Sequence, residues 1–303
     1  MSKQYANQQP AKRHLRFALF GNEYQVNKSV AVQTVLDILS RCHAEIFIDK
    51  TFYDFICRNG IGGVQPTGTF TGDDFDVDYV ISIGGDGTFL KAASRVGNKQ
   101  TPIIGVNTGR LGFLASVLPS EVEQMLCDVY AGNYAIDDHA AIEISTDGES
   151  LQGPPYALND IAVLKRDNAS MISIRTELNG DYLVTYQADG LIVSTPTGST
   201  AYSLSNGGPI MVPQSGNLCL TAVAPHSLNI RPIVISDDTE VRLQVMSRTH
   251  NFLVAIDGRS ERLAEGTTVI IRKAPFPIRI VKRVGQRYFS TLREKMMWGA
   301  DKR

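Results

Sequence analysis

The sequence predicts two domains: an α/β domain with a mostly parallel sheet over residues 1–136, and a mainly antiparallel β domain over 137–290. Three observations carry this expectation. Up to about residue 130, short apolar runs alternate with segments of helical periodicity, the pattern of a parallel sheet covered on both faces. From residue 137 onward, strand-like runs follow one another with few helical stretches between them. Asn179-Gly180 joins two of those runs, and both positions of such a turn favour positive φ, which marks a hairpin.

Residues 15–20 (LRFALF) read as a buried strand ending at Gly21, and 29–39 (SVAVQTVLDIL) as a helix. Residues 43–48 (HAEIFI) read as the next strand, and 59–74, rich in Gly, Thr and Asp, as a surface loop. A strand at 77–83 (VDYVISI) runs straight into Gly84-Gly85-Asp86-Gly87 and a helix at 88–96. A short strand at 102–106 ends at Asn107-Thr108-Gly109. Residues 120–130 read as a helix with Ser120 as N-cap and Glu123 completing a capping box. In the second domain strands are expected at 140–145, 157–164, 172–178, 182–187, 218–223, 240–246, 252–256, 268–272 and 278–281. In residues 240–246 (EVRLQVM), Val241, Leu243 and Val245 alternate with Arg242 and Gln244, a half-buried strand. Residues 291–303 are expected to return to the first domain, and 1–14 to form a frayed polar tail.

The chain has 303 residues, 43% hydrophobic and 20% charged, enough for two cores. A formal charge of −1 argues against nucleic-acid or anionic-membrane binding, which call for a basic excess. No apolar run reaches the ~18 residues of a membrane span, and no apolar segment follows the basic N-terminus as a secretory signal requires. Cys42, Cys57, Cys127 and Cys219 form no CxxC pair, so they read as reduced cytoplasmic thiols, mostly buried, and no protein-held metal is expected.

The chemistry concentrates in two places. Strand, then Gly84-Gly85-Asp86-Gly87-Thr88, then helix, builds a concave array of backbone N–H groups at a helix start, suited to phosphate. The glycines allow a sharp turn and the approach of a bulky anion. An acid such as Asp86 is unfavourable beside phosphate unless a metal or a proton transfer uses it. A tight βα turn with a capping Asp has the same composition. No GxxxxGK[ST] or GxGxxG is present. The second place is 189–203, a strand leading into a turn crowded with hydroxyls, where Pro196 fixes φ and Gly198 permits an unusual one. It reads equally as a solvated, capped Ser/Thr loop or as a rim of donors for a ribose, with Tyr202 offering an aromatic face. His226 reads as a structural histidine in a turn, because no acid is near it in sequence.

GGDGT at 84–88, NTGRLGFL at 107–114, LND at 158–160, DGLIVSTPTGSTAYSLSNGGPI at 189–210 and PHSLNIRPIV at 225–234 together resemble the NAD kinase family. GGDGT is shared, in similar form, with 6-phosphofructokinases and with diacylglycerol and sphingosine kinases. TPTGSTAYSLS followed by GGP is far more specific. The resemblance implies a Rossmann-like α/β domain and a β-rich domain, NAD and ATP as substrates, and homodimers or homotetramers in which a neighbouring subunit completes part of the site. It makes Asp86 the proton acceptor, and assigns Gly84, Gly85, Gly87, Thr88 and Lys91 to the phosphates of ATP. Asn159 and Asp160 match the pair that holds a ribose of NAD. Asp86, Gly87, Asp189, Thr200, Ala201, Tyr202, Ser203, Leu204 and Ser205 match further NAD positions. Gln187, Ala224 and Arg259 fall where the family varies in residue type. Magnesium is expected to come with ATP. DDHAA at 137–141 departs from the basic, aliphatic strand start of many members, and the Gly-rich stretch at 59–74 is unusual. A lipid or sugar kinase of the same superfamily, and a non-catalytic NAD sensor, are the alternatives.

Overall fold

The computed structural model describes residues 14–21, 29–61, 63, 65–109, 112–148, 150–166, 171–297 and 299. The expected N-terminal tail therefore lies almost wholly outside the described residues, as do Arg110 and Leu111 of the NTGRLGFL stretch. The chain divides into two compact units. Described residues up to Phe89, with Thr101–Ala135 and Val281–Gln286, form the first; Leu90–Gln100, Ile136–Ile280 and the residues from Arg287 form the second.

Up to Ala131 the element order is β1 (Arg16–Gly21), α1 (Ser29–Arg41), β2 (Glu45–Asp49), α2 (Lys50–Arg58), β3 (Gly68–Phe70), β4 (Tyr79–Gly84), α3 (Asp86–Val96), β5 (Ile103–Asn107) and α4 (Val122–Ala131), all in the first unit except α3 from Leu90 on. The strands pair in parallel in the order β3-β2-β1-β4-β5. Val32, Val35, Leu36 and Leu39 recur at helical spacing on α1 and join Phe17, Leu19, Ile81 and Ile83 of the strands in one core. Three local expectations are corrected. α2 falls in a stretch with no assigned element; Asp49 caps it by accepting from Phe52 N–H at 3.3 Å, and Phe52, Phe55 and Ile56 bury its inner face. β3 lies inside the expected loop at 59–74, because Phe70 packs edge-on against Phe20 and tilted against Phe75. The capping carboxylate is Glu121, accepting from Leu118 N–H at 3.1 Å, not Glu123, which pairs with Arg41 at 2.9 Å.

The second unit continues with β6 (Tyr134–Thr146), β7 (Tyr156–Ala157), β8 (Asp160–Leu164), β9 (Ile172–Leu178), β10 (Asp181–Ala188), β11 (Gly190–Ser194), α5 (Tyr202–Ser205), β12 (Asn217–Val223), β13 (Ile233–Ser236), β14 (Val241–Met246), β15 (Asn251–Ile256), β16 (Arg259–Ala264), β17 (Thr268–Arg283) and α6 (Tyr288–Met296). One antiparallel ladder runs β10-β9-β14-β17, and a second sheet runs β13-β12-β11-β8-β15-β16. Leu191 and Val193 of β11 face the core shared by both sheets, whereas Ile192 packs with Ala162 and Ala255 on the other face, the period of two that a strand requires. Asn179 (φ 50°) and Gly180 (φ 82°) form the expected hairpin turn. β17 is continuous where two strands were expected: Pro275 and Pro277 break the apolar pattern, but Ala274, Phe276, Ile278 and Ile280 keep alternating inward. α6 groups with the second unit, not the first, and Tyr288 Oη donates to Met211 O at 3.4 Å there. Only Cys219 is buried; Cys57 and Cys127 lie exposed on the outer faces of α2 and α4.

Candidate active site

β4 delivers the chain into the glycine turn. None of Gly84, Gly85 and Gly87 has positive φ, so left-handed backbone is not their reason. A Cβ on Gly84 would stand 2.3 Å from Thr88 Oγ1, so glycine lets the buried Thr88 fold over the strand end. At Gly85 and Gly87 a Cβ would meet nothing within 4 Å. Open space therefore lies over backbone that starts a helix, where N–H groups lack intrahelical partners. Gly85 O accepts from Thr88 and Phe89 N–H at 3.1 and 3.2 Å, closing the first turn of α3. Lys91 lies exposed further along that helix.

Asp86 opens α3 and reaches back across the sheet end. Its Oδ2 accepts from Phe113 N–H at 2.7 Å, and its Oδ1 from Leu114 and Ala115 N–H, each at 3.0 Å. A Cβ on Gly112 would sit 1.9 Å from Asp86 Oδ1, so only glycine admits the carboxylate so near the loop. Asn107 holds the same loop, donating to Ala115 O at 3.1 Å and accepting from Gly109 N–H at 2.7 Å. An ionised carboxylate offers about four acceptor positions. Three are occupied, which leaves one acceptor position on Oδ2.

In the second unit, the break between β7 and β8 carries Leu158 and Asn159, and Asp160 opens β8. Thr195 Oγ1 donates to Leu158 O at 2.6 Å and Asn159 O at 3.2 Å. A Cβ on Gly198 would lie 2.0 Å from Asn159 O; close approach, not unusual φ, requires that glycine. Most hydroxyls of this loop turn inward. Ser199 bonds Pro196 O at 2.6 Å, and Ser203 pairs with Thr221 at 2.9 Å, so Ser203 has only its backbone to offer a ligand. Tyr202 and Ser205 are exposed, and Thr200, Ala201 and Leu204 half-buried. Asn159 Oδ1 and Arg259 Nε are buried without a protein partner. Arg259 also donates to Pro154 O at 2.6 Å.

The expected site residues of this unit fall into two groups. Asn159, Asp160 and the segment 200–205 gather near the end of β11, where Ser194 pairs with Asp160. Asp189, Gln187 and Ala224 lie at its other end, where Gly190 pairs with Leu164 and Val223. Four residue steps separate the ends, roughly 13 Å of extended chain. There Asp189 pairs with Lys165 at 2.8 Å, and Gln187 accepts from Ser173 Oγ at 3.0 Å. Gln187 O also accepts from His226 N–H at 2.8 Å, and Ala224 holds a left-handed φ of 43°.

Two supports had no sequence assignment. Asp257 accepts N–H bonds from Leu158, Asn159 and Asp160. Burial and the Asp257 carboxylate push Asp160 up to about 7. Burial pushes Asp257 up to about 6 against its three N–H donors and Arg259, which favour the ionised form. Within the atypical stretch at 137–141, buried His139 bonds Thr197 Oγ1 at 2.7 Å and Asp137 Oδ2 at 3.1 Å, and Gln214 donates to Asp137. Asp257-Gly258 directly after the apolar run at 252–256 is a turn signal that draws attention to Asp257; no local signal links His139 to Thr197.

Residues 64–134 match the ATP-NAD kinase N-terminal domain and residues 158–283 the ATP-NAD kinase C-terminal domain. The chain is 56% identical over 289 residues to an NAD kinase of Bacteroides fragilis, covering 95% of this chain and 100% of that one. It is 40% identical over 285 residues to an NAD kinase of Porphyromonas gingivalis, covering 94% and 98%. Its fold is similar to yeast NADH kinase solved with NADH (TM-score 0.86, 21% identity, 95% and 89% covered). It is also similar to an NAD kinase of Archaeoglobus fulgidus solved with ATP (TM-score 0.73, 25% identity, 93% and 99% covered).

Proposed function

As the chain belongs to the NAD kinase family, we propose that Asp86 is the group that takes the proton from the ribose hydroxyl of NAD. The enzyme is an ATP-dependent NAD kinase. The adenosine-ribose 2′-oxygen bonds to the γ-phosphorus of ATP, the bond from that phosphorus to the β,γ-bridging oxygen breaks, and ADP leaves with its electron pair. The hydroxyl proton passes to Asp86. The observation that carries this role is the remaining acceptor position on a carboxylate otherwise fixed by three backbone N–H groups, beside the open turn at Gly85 and Gly87.

A carboxylate is a weak base, but it serves late in the transfer, when the alcohol has become acidic. Holding the reactants together contributes more, up to about 7–11 kcal/mol in well-oriented cases. In our reading Gly84, Gly85, Gly87, Thr88 and Lys91 receive the phosphates. Asn159, through its unpartnered Oδ1, and Asp160 hold the ribose. Arg259 Nε, the face of Tyr202, and the exposed parts of Thr200, Ala201, Leu204 and Ser205 line the nucleotide. A kinase using ATP needs a divalent ion. We assign this ion to magnesium, carried in by the triphosphate as substrate. The separate grouping of Gln187, Asp189 and Ala224 supports their serving a neighbouring subunit of a homodimer or homotetramer. Among the described residues no helix is long and apolar enough to cross a membrane; we assign the reaction to the cytoplasm, in keeping with free thiols.

The test is incubation with ATP, magnesium and NAD, following NADP. Asp86→Asn is expected to lower turnover about 10²–10⁴-fold, the usual weight of a positioned proton acceptor. Turnover unchanged in that variant would remove Asp86 from the mechanism. NAD binding without NADP from the unaltered chain would favour a sensor instead.

A further inference from the structure

We infer that Asp257 is a positioning residue for NAD: it fixes the backbone of residues 158–160 so that Asn159 meets the ribose in a single orientation. This rests on the reading that Asn159 holds the nucleotide.

The argument begins with an accounting of backbone groups. β7 ends at Ala157 and β8 begins at Asp160, so the ladder stops over Leu158 and Asn159. Their N–H groups need other partners, because buried donors are costly to leave unpaired. Asp257 supplies them. Its Oδ2 accepts from Leu158 N–H at 2.7 Å, and its Oδ1 from Asn159 and Asp160 N–H at 2.8 and 3.1 Å. Its own N–H donates to Asp160 O at 3.0 Å. From the other side Thr195 takes the carbonyls of Leu158 and Asn159. The segment is therefore gripped through its donors by one residue and through its acceptors by another. What it presents is the Asn159 side chain, with Oδ1 buried and unpartnered.

The residue type follows from the geometry. Both side-chain oxygens accept, so a carboxylate is required; an amide would turn an NH₂ toward one of the three donors. The position also demands left-handed backbone at two successive residues, Asp257 (φ 47°) and Gly258 (φ 83°), the turn between β15 and β16. Asp and Asn tolerate this conformation better than other residues with a side chain. A second acid, Asp160, stands beside it, and the Asp257 charge pushes that carboxyl up, so placing two acids together carries a cost. A turn alone needs only Asn-Gly and would avoid that cost. The carboxylate is retained for the three donors it holds.

The experiment uses Asp257→Asn, which keeps the turn and removes one acceptor, together with Asn159→Ala and the double variant. Asp257→Asn is expected to raise KM for NAD roughly tenfold, the weight of one to two lost hydrogen bonds. KM for ATP and kcat are expected to stay within about threefold, since neither group acts on phosphate. In the Asn159→Ala background the same change is expected to add little, because the two act as one unit. Full additivity, or an equal loss in kcat and in both KM values, would overturn the inference. Asn159→Ala without effect on KM for NAD would refute the ribose reading and the inference with it; an effect there but none from Asp257→Asn would refute the inference alone. If Asp257→Asn does not fold, Gly258→Ala strains the same turn with the carboxylate kept, and must raise KM for NAD and not KM for ATP.

Discussion

Asp86 in the first unit and Asp257 in the second each gather three consecutive backbone N–H groups, from residues 113–115 and 158–160. In both places the chain has left regular structure, and a carboxylate satisfies donors that no strand or helix partner reaches. What differs is the surroundings. Asp86 stands at the start of an eleven-residue helix, beside glycines with empty space above them. Asp257 stands in a two-residue turn, crowded by Asp160, with Arg259 beyond it. In our reading the same clamp leaves one acid open to substrate and commits the other to holding a loop. A hydrogen-bond pattern alone does not assign catalysis; the space and charge around it do.

The comparison breaks most sharply at Asp86→Asn, whose expected fall in turnover of about 10²–10⁴-fold exceeds every other effect named here. Gly112→Ala separates the two duties of Asp86. It leaves the acid in place and drives a methyl to within 1.9 Å of its Oδ1. The clamp must open, and we expect kcat to fall about tenfold or more, with a stability loss of about 1–3 kcal/mol by thermal unfolding. An unperturbed Gly112→Ala would mean that loop 113–115 needs no clamp. In the second unit the counterpart is Gly198→Ala, which presses on Asn159 O. KM for NAD is expected to rise by about tenfold, as for Asp257→Asn, with kcat less affected.

The smallest expected effect is one of pH. Asp160 is raised in the fold to about 7 by burial and by Asp257, while the Arg259 charge acts in the opposite sense on Asp257. A raised folded-state value means that its contribution to stability is present below the unfolded value, near 4, and is lost as pH rises through 7. Asp160→Asn should therefore gain in Tm relative to the unaltered chain between pH 5 and 8. A gap that narrows over that range would show that Asp160 is not held proton-rich.

How much of this was legible in the sequence follows from how local each feature is. Strands such as β4 and the turn at Asn179-Gly180 are written in adjacent residues and were read correctly. Gly84 to Thr88 reads in sequence as a glycine turn between strand and helix, and the need for Gly84 is Thr88 packing and not φ. α2 escaped because its inner face rests on Phe52, Phe55 and Ile56 alone, and β17 because its prolines mimic an end. The clamps were invisible, since Asp86 reaches a loop 27–29 positions away and Asp257 one 97–99 positions away. Nothing in residue spacing marks Ser203 as bonded to Thr221, or His139 to Thr197. Sequence thus displayed the residues we assign to substrate better than those that hold them still.

The division of labour is tested most directly by steady-state kinetics of Asp86→Asn and Asp257→Asn side by side, with ATP and NAD each varied. The account predicts that the first loses kcat with KM for NAD within about threefold, and that the second raises KM for NAD roughly tenfold with kcat nearly retained. If both variants moved the same parameter by similar factors, the two clamps would not differ in role and the account would be wrong.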